Sequence, residues 1–392
     1  MGGLDIHHRC AGICTPVAHD WFLSAHLANR VAWIESSTQN TAKAVELSPT
    51  VNNSTDSYST RIDDSSAVAT AEQPDPVEII RSKPVVVTGA SGLVGTHVCT
   101  ELAQAGWKIR AVVRNAQKAA ERLGHLPLEV RVGDIRDSDS MRAALNGAGA
   151  LVHLAAIAIE KPGESYDKSN SEGTRVLLDA ARSESVERLV YMSQNGSDSS
   201  SPFPFLNSKG IAEDAVKSSG MKWTVLRPSV IFGPEDEFVN VLARLVRLSP
   251  VIFPLPGGGV ARFQPVAVGD VARAVAKVLG DDNSIGKSYA IGGPTPLSLR
   301  QMTERILIAM NASRVLVGIP VAVLRPIVAL AGSLLPNPPV TTGLLDLLAI
   351  DNVIPQNDLK DSLGIQPTPF APEELLYLRK ITAGSAIKSL FS

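Results

Sequence analysis

The segment Thr88-Gly-Ala-Ser-Gly-Leu-Val-Gly95 carries a glycine at every third position. It directly follows a short β-branched run and opens a pattern with the period of an amphipathic helix. In this setting Gly89 permits a tight turn, Gly92 lets the backbone approach a pyrophosphate, and Gly95 allows helix and strand to touch. The N-terminus of the helix then faces the phosphates. The spacing therefore predicts a dinucleotide site, with a glycine-rich turn that binds no ligand as the alternative.

The end of the next strand indicates which dinucleotide is bound. An acidic residue there would bind the ribose 2′-hydroxyl of NAD, whereas an arginine accommodates a 2′-phosphate. The chain reads Val112-Val-Arg-Asn115 at this point and has no acid. Arg114 therefore predicts NADP(H) in preference to NAD(H). The alternative is that Arg114 is a solvated residue at the start of a helix.

Further motifs follow in an order that resembles the extended short-chain dehydrogenase/reductases, the family that includes sugar epimerases and dehydratases. They are Gly133-Asp-Ile135, His153-Leu-Ala-Ala156, Asn170-x-Glu-Gly-Thr174 and Arg227-Pro-Ser-Val-Ile-Phe-Gly-Pro234. The resemblance covers residues 84 to about 275. It implies a doubly wound α/β fold and a nicotinamide dinucleotide as the cofactor.

The resemblance also implies which residues contact the cofactor. In the glycine segment they are Thr88, Gly89, Ser91, Gly92, Leu93, Val94 and Gly95. Along the later motifs, Asp134 and Ile135 would flank the adenine, Ala155 and Ala156 would lie along the dinucleotide, and Pro228, Ser229 and Lys209 would lie near the nicotinamide and its ribose. His153 is expected to be a structural residue inside the sheet.

The family's catalytic residues are altered in this chain. The family uses a serine and Tyr-x-x-x-Lys, in which the lysine lowers the pKa of the phenol so that it can exchange a proton with the substrate. The chain reads Phe205-Leu-Asn-Ser-Lys209, and phenylalanine cannot transfer a proton. Asn195 stands about where the serine is expected, with Ser193 and Ser197 nearby. A substitute proton donor could be Tyr166, although a surface tyrosine without a function is the competing interpretation.

The loss of these residues beside an intact glycine motif resembles the atypical branch of the family. Three segments are similar to the NADPH-carrying accessory subunit of respiratory complex I and its bacterial relatives: Trp223–Asp236, Gln264–Ala272 and Leu347–Val353. This resemblance implies that the nucleotide is held for a structural, assembly or redox-sensing role, and that a respiratory complex is a partner. The alternative is an enzyme, a reductase or an epimerase/dehydratase with another proton donor.

The elements that must position these residues alternate along the chain from Pro84. Short apolar strands alternate with helical patterns, which predicts a parallel sheet covered on both faces. Six strands are expected: Val85–Thr88, Lys108–Val113, Glu129–Val132, Ala150–Leu154, Leu189–Met192 and Trp223–Leu226. The sequence thus predicts a Rossmann domain over residues 81–230. A smaller α/β lobe is expected over residues 231–392, with parts of 255–295 packing back on the Rossmann core.

Composition narrows the class of protein. The 392 residues are 44% apolar and 19% charged with a formal net charge of −2, and no basic cluster interleaves with aromatics, which argues against nucleic acid as a partner. Three scattered cysteines, Cys10, Cys14 and Cys99, indicate a reducing compartment without a disulfide framework. The expected location is therefore the cytosolic side. The alternative location is peripheral to an inner membrane, on the matrix side in a eukaryote.

Two segments lie outside these motifs. Residues 1–80 are expected to be a disordered polar extension, and their His7, His8, Cys10, Cys14 and His19 do not have a standard zinc spacing, so no metal is predicted. Val315 to Pro339 is the longest apolar stretch, but its prolines and Arg325 spoil a spanning helix. A pair of helices in the core or on the surface is expected there, with peripheral membrane contact as a further prediction.

Overall fold

The structure is a computed structural model that describes residues 80–391 apart from Pro162, Pro336, Asn337 and Pro339. The predicted polar extension, with its histidines and Cys10 and Cys14, lies outside the described residues except for Ile80. All the elements below belong to the unit that runs from Ala71 to Ser392.

Seven parallel strands form the central sheet, in the order β11-β6-β5-β4-β1-β2-β3. The strands are β1 Val85–Thr88, β2 Ile109–Val113, β3 Leu128–Val132, β4 Ala150–His153, β5 Arg188–Met192, β6 Lys222–Pro228 and β11 Lys287–Ile291. This order confirms the predicted doubly wound Rossmann sheet. The expected count of six strands was wrong, because β11, which lies within the segment 231–392, joins the sheet beside β6. The first two residues of β11, Lys287 and Ser288, are polar and exposed, so the strand lacks the apolar run by which a buried strand is predicted.

Helices cover both faces of this sheet. They are α1 Leu93–Gln104, α2 Ala116–Leu123, α3 Ser138–Leu145, α4 Gly173–Ser183, α5 Pro204–Lys217 and α7 Val268–Leu279. Val85 and Val87 of β1 pack in one core cluster with α1 and α7, whereas Val86 packs in the opposite cluster with α3, α4 and α5. Burial on both faces explains why β1 is a continuous apolar run instead of an alternating one.

The remaining elements build a smaller lobe with its own apolar core. They are β7 Ile231–Phe232, α6 Val239–Leu248, β8 Ile252–Pro256, β9 Arg262–Phe263, β10 Val266–Ala267, β12 Leu297–Ser298, α8 Leu299–Ala309, β13 Val315–Ile319, α9 Val321–Leu334, α10 Thr342–Leu347 and α12 Ala383–Lys388. The short helix α11, Asp358–Asp361, packs on β11 instead, and its Leu359 belongs to the core cluster of the central sheet. Helix α7 and strand β11 return from this lobe to the central sheet.

The apolar stretch from Val315 is not a helix pair. Its first part is strand β13, which pairs in parallel with β8, and only Val321–Leu334 is helical. Pro320 and the β-branched residues before it account for the switch from strand to helix. Helix α9 buries none of its side chains and is tied to α10 by an ion pair between Arg325 and Asp346 at 2.7 Å. In the part of the chain that the structure describes, no helix is long and apolar enough to cross a bilayer. Peripheral membrane contact stays a prediction.

Candidate functional site

The glycine segment forms a tight turn between β1 and α1 that no residue with a side chain could fully reproduce. Gly89 has a φ of +71°, and a Cβ on it would lie 2.8 Å from the backbone nitrogen of Ala155. A Cβ on Gly95 would lie 2.7 Å from the Cα of Ala90. Gly92 is different, because its added Cβ would meet only the Gly89 carbonyl oxygen, at 3.2 Å. The space above Gly92 is therefore open for a ligand.

The N-terminus of α1 is free to bind a phosphate. No side chain caps it, and its first turn has no acidic residue. Its first amide groups need partners, and the positive end of the helix dipole favours an anion. These residues fit the pyrophosphate of a dinucleotide.

A cavity of about 830 Å³ opens above the carboxyl ends of the central strands. The glycine segment lines one end, and Phe203, Phe205 and the smaller lobe line the other. Of the residues that the sequence predicted for the site, those that line this cavity are Gly89, Gly92, Leu93, Val94, Gly95, Ala156, Asn195 and Phe205. The position agrees with the rule that ligands bind beyond the carboxyl ends of strands in an open α/β sheet.

His153 links the strand ends beneath the glycine segment. Its Nδ1 lies 2.8 Å from Thr88 Oγ1 and its Nε2 lies 2.9 Å from Thr174 Oγ1. The Thr174 hydroxyl donates to the Asn170 carbonyl at 2.6 Å, so it accepts from Nε2, and Thr88 donates to Nδ1. Burial lowers the pKa of His153 to about 3, which keeps the imidazole neutral. His153 therefore ties β1, β4 and α4 together.

Phe205 occupies the place of the expected tyrosine, on the first turn of α5. Pro204 starts this helix, and the Phe205 side chain lines the cavity. Its ring lies 5.7 Å from the ring of Tyr166. The Tyr166 hydroxyl donates to the carbonyl of Ala158 at 3.0 Å, and burial raises its pKa. Tyr166 is thus close to the site, but its hydroxyl is engaged.

Lys209 and Ser193 make their contacts beneath the cavity. Lys209 is only 4% exposed, donates to the Met192 carbonyl at 2.7 Å and lies 4.5 Å from the centre of the Tyr191 ring. Burial lowers the pKa of its ammonium group to about 7. The Ser193 hydroxyl donates to the buried Glu213 carboxylate at 2.6 Å. Neither side chain lines the cavity.

Glu213 is held by two cations as well as by Ser193. Arg227 donates to both of its oxygens, with Nε at 3.0 Å, and Lys217 lies 2.7 Å away. Burial raises the pKa of this carboxyl, but the hydrogen bonds from Arg227, Lys217 and Ser193 outweigh burial and leave the pKa below its usual value. Ser193 is thereby committed to a buried ionic cluster.

The other predicted cofactor residues contact neighbouring protein groups. Asp134 pairs with Arg136 at 2.6 Å, and that bond lowers the pKa of the carboxyl. Arg114 is exposed and forms an ion pair with Glu164. The Ser229 hydroxyl donates to the Asn352 carbonyl at 2.8 Å, beside Pro228. The predicted cofactor residues that do not line the cavity are Thr88, Ser91, Arg114, Asp134, Ile135, Ala155, Lys209, Pro228 and Ser229.

The sequence missed residues that reach the site from distant segments. Lys118 and Arg122, on α2, line the cavity near the glycine segment. Arg122 donates to the Ser91 carbonyl at 3.1 Å and forms an ion pair with Glu235 of the smaller lobe. The only signal in the sequence is their i, i+4 spacing on the helix after Arg114. Asn352 was missed as well, and its Oδ1 accepts from Asn195 Nδ2 at 2.7 Å.

Comparison with known proteins supports a dinucleotide site. The family model described as NAD(P)H-binding matches residues 89–282. The NADH dehydrogenase (ubiquinone) 1 alpha subcomplex subunit 9, mitochondrial, of Arabidopsis thaliana is 31% identical over 227 residues, which are 56% of this chain and 56% of that protein. The protein of the same name from Mus musculus is 28% identical over 304 residues, 75% of this chain and 79% of that one.

Solved structures share the fold. A UDP-glucose 4-epimerase of Thermus thermophilus in complex with NAD superposes with a TM-score of 0.57 and 21% identity, covering 78% of this chain and 99% of the epimerase. At this identity the likeness extends to the fold alone. The match to the Arabidopsis protein spans little more than half of that protein's length.

Proposed function

Since this chain is an NAD(P)-binding relative of the atypical short-chain dehydrogenase/reductases, we propose that it holds NADP(H) for a structural, assembly or redox-sensing role at a respiratory complex. The observation that carries the proposal is Phe205, which lines the cavity where the family places its proton donor. Ser193 and Lys209 are bonded to Glu213 and Met192 instead of facing the cavity. The chain could thus bind a dinucleotide although neither Ser193 nor Lys209 lines the cavity and Phe205 cannot transfer a proton.

Bound dinucleotide is sufficient for such a role. When bound, the cofactor supplies redox chemistry and also stabilises the folded state by mass action, since the unfolded chain does not bind it. In this chain the N-terminus of α1 and Gly92 would hold the pyrophosphate. Lys118 and Arg122 would add positive charge at the same end of the cavity.

NADP(H) is proposed over NAD(H) because of the end of β2. Arg114 follows that strand directly, and the sequence has no acidic residue at the end of the strand, where NAD-binding chains carry one for the ribose 2′-hydroxyl. Arg114 is exposed and its present partner is Glu164. A 2′-phosphate would replace Glu164 as a doubly charged partner for the guanidinium.

A second candidate is a reductase or epimerase/dehydratase with Tyr166 as the proton donor. It is favoured by the 5.7 Å between the rings of Tyr166 and Phe205, which brings a phenol next to the cavity. The engagement of the Tyr166 hydroxyl with Ala158 counts against it.

Turnover separates the two candidates. We expect purified protein with NADPH and a panel of quinones, nucleotide sugars and hydroxysteroids to show no turnover. We also expect Phe205→Tyr to restore none, because Lys209 lies under the cavity with its ammonium group on Met192. Turnover that is lost in Tyr166→Phe and retained in Tyr289→Phe would establish the second candidate and end the first, because Tyr289 lies on β11 and does not line the cavity.

A further inference from the structure

Large apolar side chains line the cavity on the side of the smaller lobe, here called the apolar half. Phe203 contributes from the Rossmann side, and the smaller lobe contributes Phe238, Phe263, Leu344, Leu347 and Ile350. The rings of Phe238 and Phe263 lie 5.6 Å apart. Leu344, Leu347 and Ile350 are half-buried, so part of their apolar surface faces the cavity and would gain from being covered.

The charges that line the cavity do not suit a second anionic ligand. Its basic side chains are Lys118 and Arg122, both on α2 at the cofactor end, and Arg122 is already paired with Glu235. The acidic side chains are more numerous: Asp198, Glu235, Asp236, Glu237 and Asp351. Glu235 pairs with Arg122, Asp351 pairs with Arg262, and Asp236 accepts from backbone amides at the start of α6. A diphosphate placed in the apolar half would therefore find no unpaired cation among the residues that line it, and burying an unpaired charge is costly.

Neutral polar side chains also line the cavity. Gln194 and Asn195 follow β5, and the Asn195 amide donates to Asn352 Oδ1 at 2.7 Å. Both asparagines line the cavity. Amide groups can hydrogen-bond an uncharged carbonyl or hydroxyl without any charge being buried.

From this distribution we infer that the second half of the cavity binds an uncharged molecule with an apolar chain. Its polar head lies at Asn195 and Asn352, and its chain lies between Phe263 and the three residues Leu344, Leu347 and Ile350. The inference rests on the proposed function, because the same cavity holds the dinucleotide at its other end. It distinguishes this chain from a protein that takes a nucleoside diphosphate sugar.

The test measures binding by calorimetry to the full chain saturated with NADPH. The two neutral probes are decylubiquinone, which has a quinone head group, and 1-monolaurin, which has an acyl chain on glycerol. Both are used below the concentrations at which they aggregate. UDP-glucose is the anionic probe. Leu347→Glu places a charge in the apolar half. Ala349→Glu is the matched control, because Ala349 is exposed two residues away and does not line the cavity.

We expect at least one neutral probe to bind saturably, and the probe that binds identifies the head group. Leu347→Glu should weaken that binding at least tenfold, while Ala349→Glu leaves it unchanged. Tighter binding of UDP-glucose than of both neutral probes, binding of no probe, or equal effects of the two variants would overturn the inference. NADPH titration of the same samples reports on the proposed function separately, since Leu347 lies away from the glycine segment.

Discussion

Gly92→Val is expected to weaken NADPH binding at least 100-fold while the thermal unfolding midpoint changes little. Gly92 has an extended conformation, with φ −79° and ψ 174°, that valine adopts readily. Its Cβ would meet only the Gly89 carbonyl oxygen, at 3.2 Å, and a shift of a few tenths of an ångström in that carbonyl would admit it. The branch instead fills the space that a pyrophosphate needs. A 100-fold loss corresponds to about 2.7 kcal/mol of binding free energy.

The measurement is a fluorescence titration with NADPH beside a thermal melt. Gly332→Val is the control, because nothing lies within 4 Å of a Cβ at that exposed position. Gly95→Ala should lose both binding and thermal stability, since its Cβ would lie 2.7 Å from the Cα of Ala90. If Gly92→Val bound NADPH as the parent chain does, the glycine segment would not be the pyrophosphate site.

Lys209→Met is expected to remove a pH dependence of stability. Burial lowers the pKa of Lys209 to about 7 in the folded chain, whereas an unfolded lysine titrates near its model value of 10.5. Between these values the unfolded chain binds more protons, so the free energy of unfolding rises with pH. The gain from Lys209 is complete above the unfolded pKa and is lost as the pH falls through the folded pKa.

Urea unfolding at several pH values measures this effect. Between pH 7 and 8.5 the free energy of unfolding of the parent chain should rise by roughly 1–2 kcal/mol because of Lys209, and Lys209→Met should lack that rise. Burial raises the pKa of Cys99 from 9.0 to about 12, so above pH 9 the contribution of Cys99 opposes that of Lys209, which is why the comparison stops at pH 8.5. Lys222→Met serves as control, because Lys222 is 53% exposed and its partner Glu187 is exposed as well. If the free energy of unfolding changed equally with pH in Lys209→Met and in the parent chain, the pKa of Lys209 would not be lowered in the folded state.

Local patterns predicted the fold and one end of the site. The glycine segment could be found because strand, turn and helix are consecutive, and the three valines of β1 already indicate a strand buried on both faces. Phe205 could be found because the family spacing from Lys209 marks its position. Each of these features depends on a few neighbouring residues.

Contacts between distant residues could not be predicted in the same way. Arg122 and Glu235 are separated by 113 residues, and Asn195 and Asn352 by 157. Neither pair has a periodic signal, since their meeting depends on how the smaller lobe packs above the sheet. The direction of the Lys209 side chain is a further example, because the acceptor that fixes it is a backbone carbonyl on β5.

A titration with NADPH and NADH tests most directly whether this site holds NADP(H). NADPH and NADH are titrated into the purified full chain and into Arg114→Ala, with nucleotide fluorescence as the readout. We predict saturable binding with NADPH at least tenfold tighter than NADH, and a loss of that preference in Arg114→Ala, because hydrogen bonds to charged groups contribute about 1.5–3 kcal/mol. Saturation with neither nucleotide, or a preference for NADH, would contradict the account.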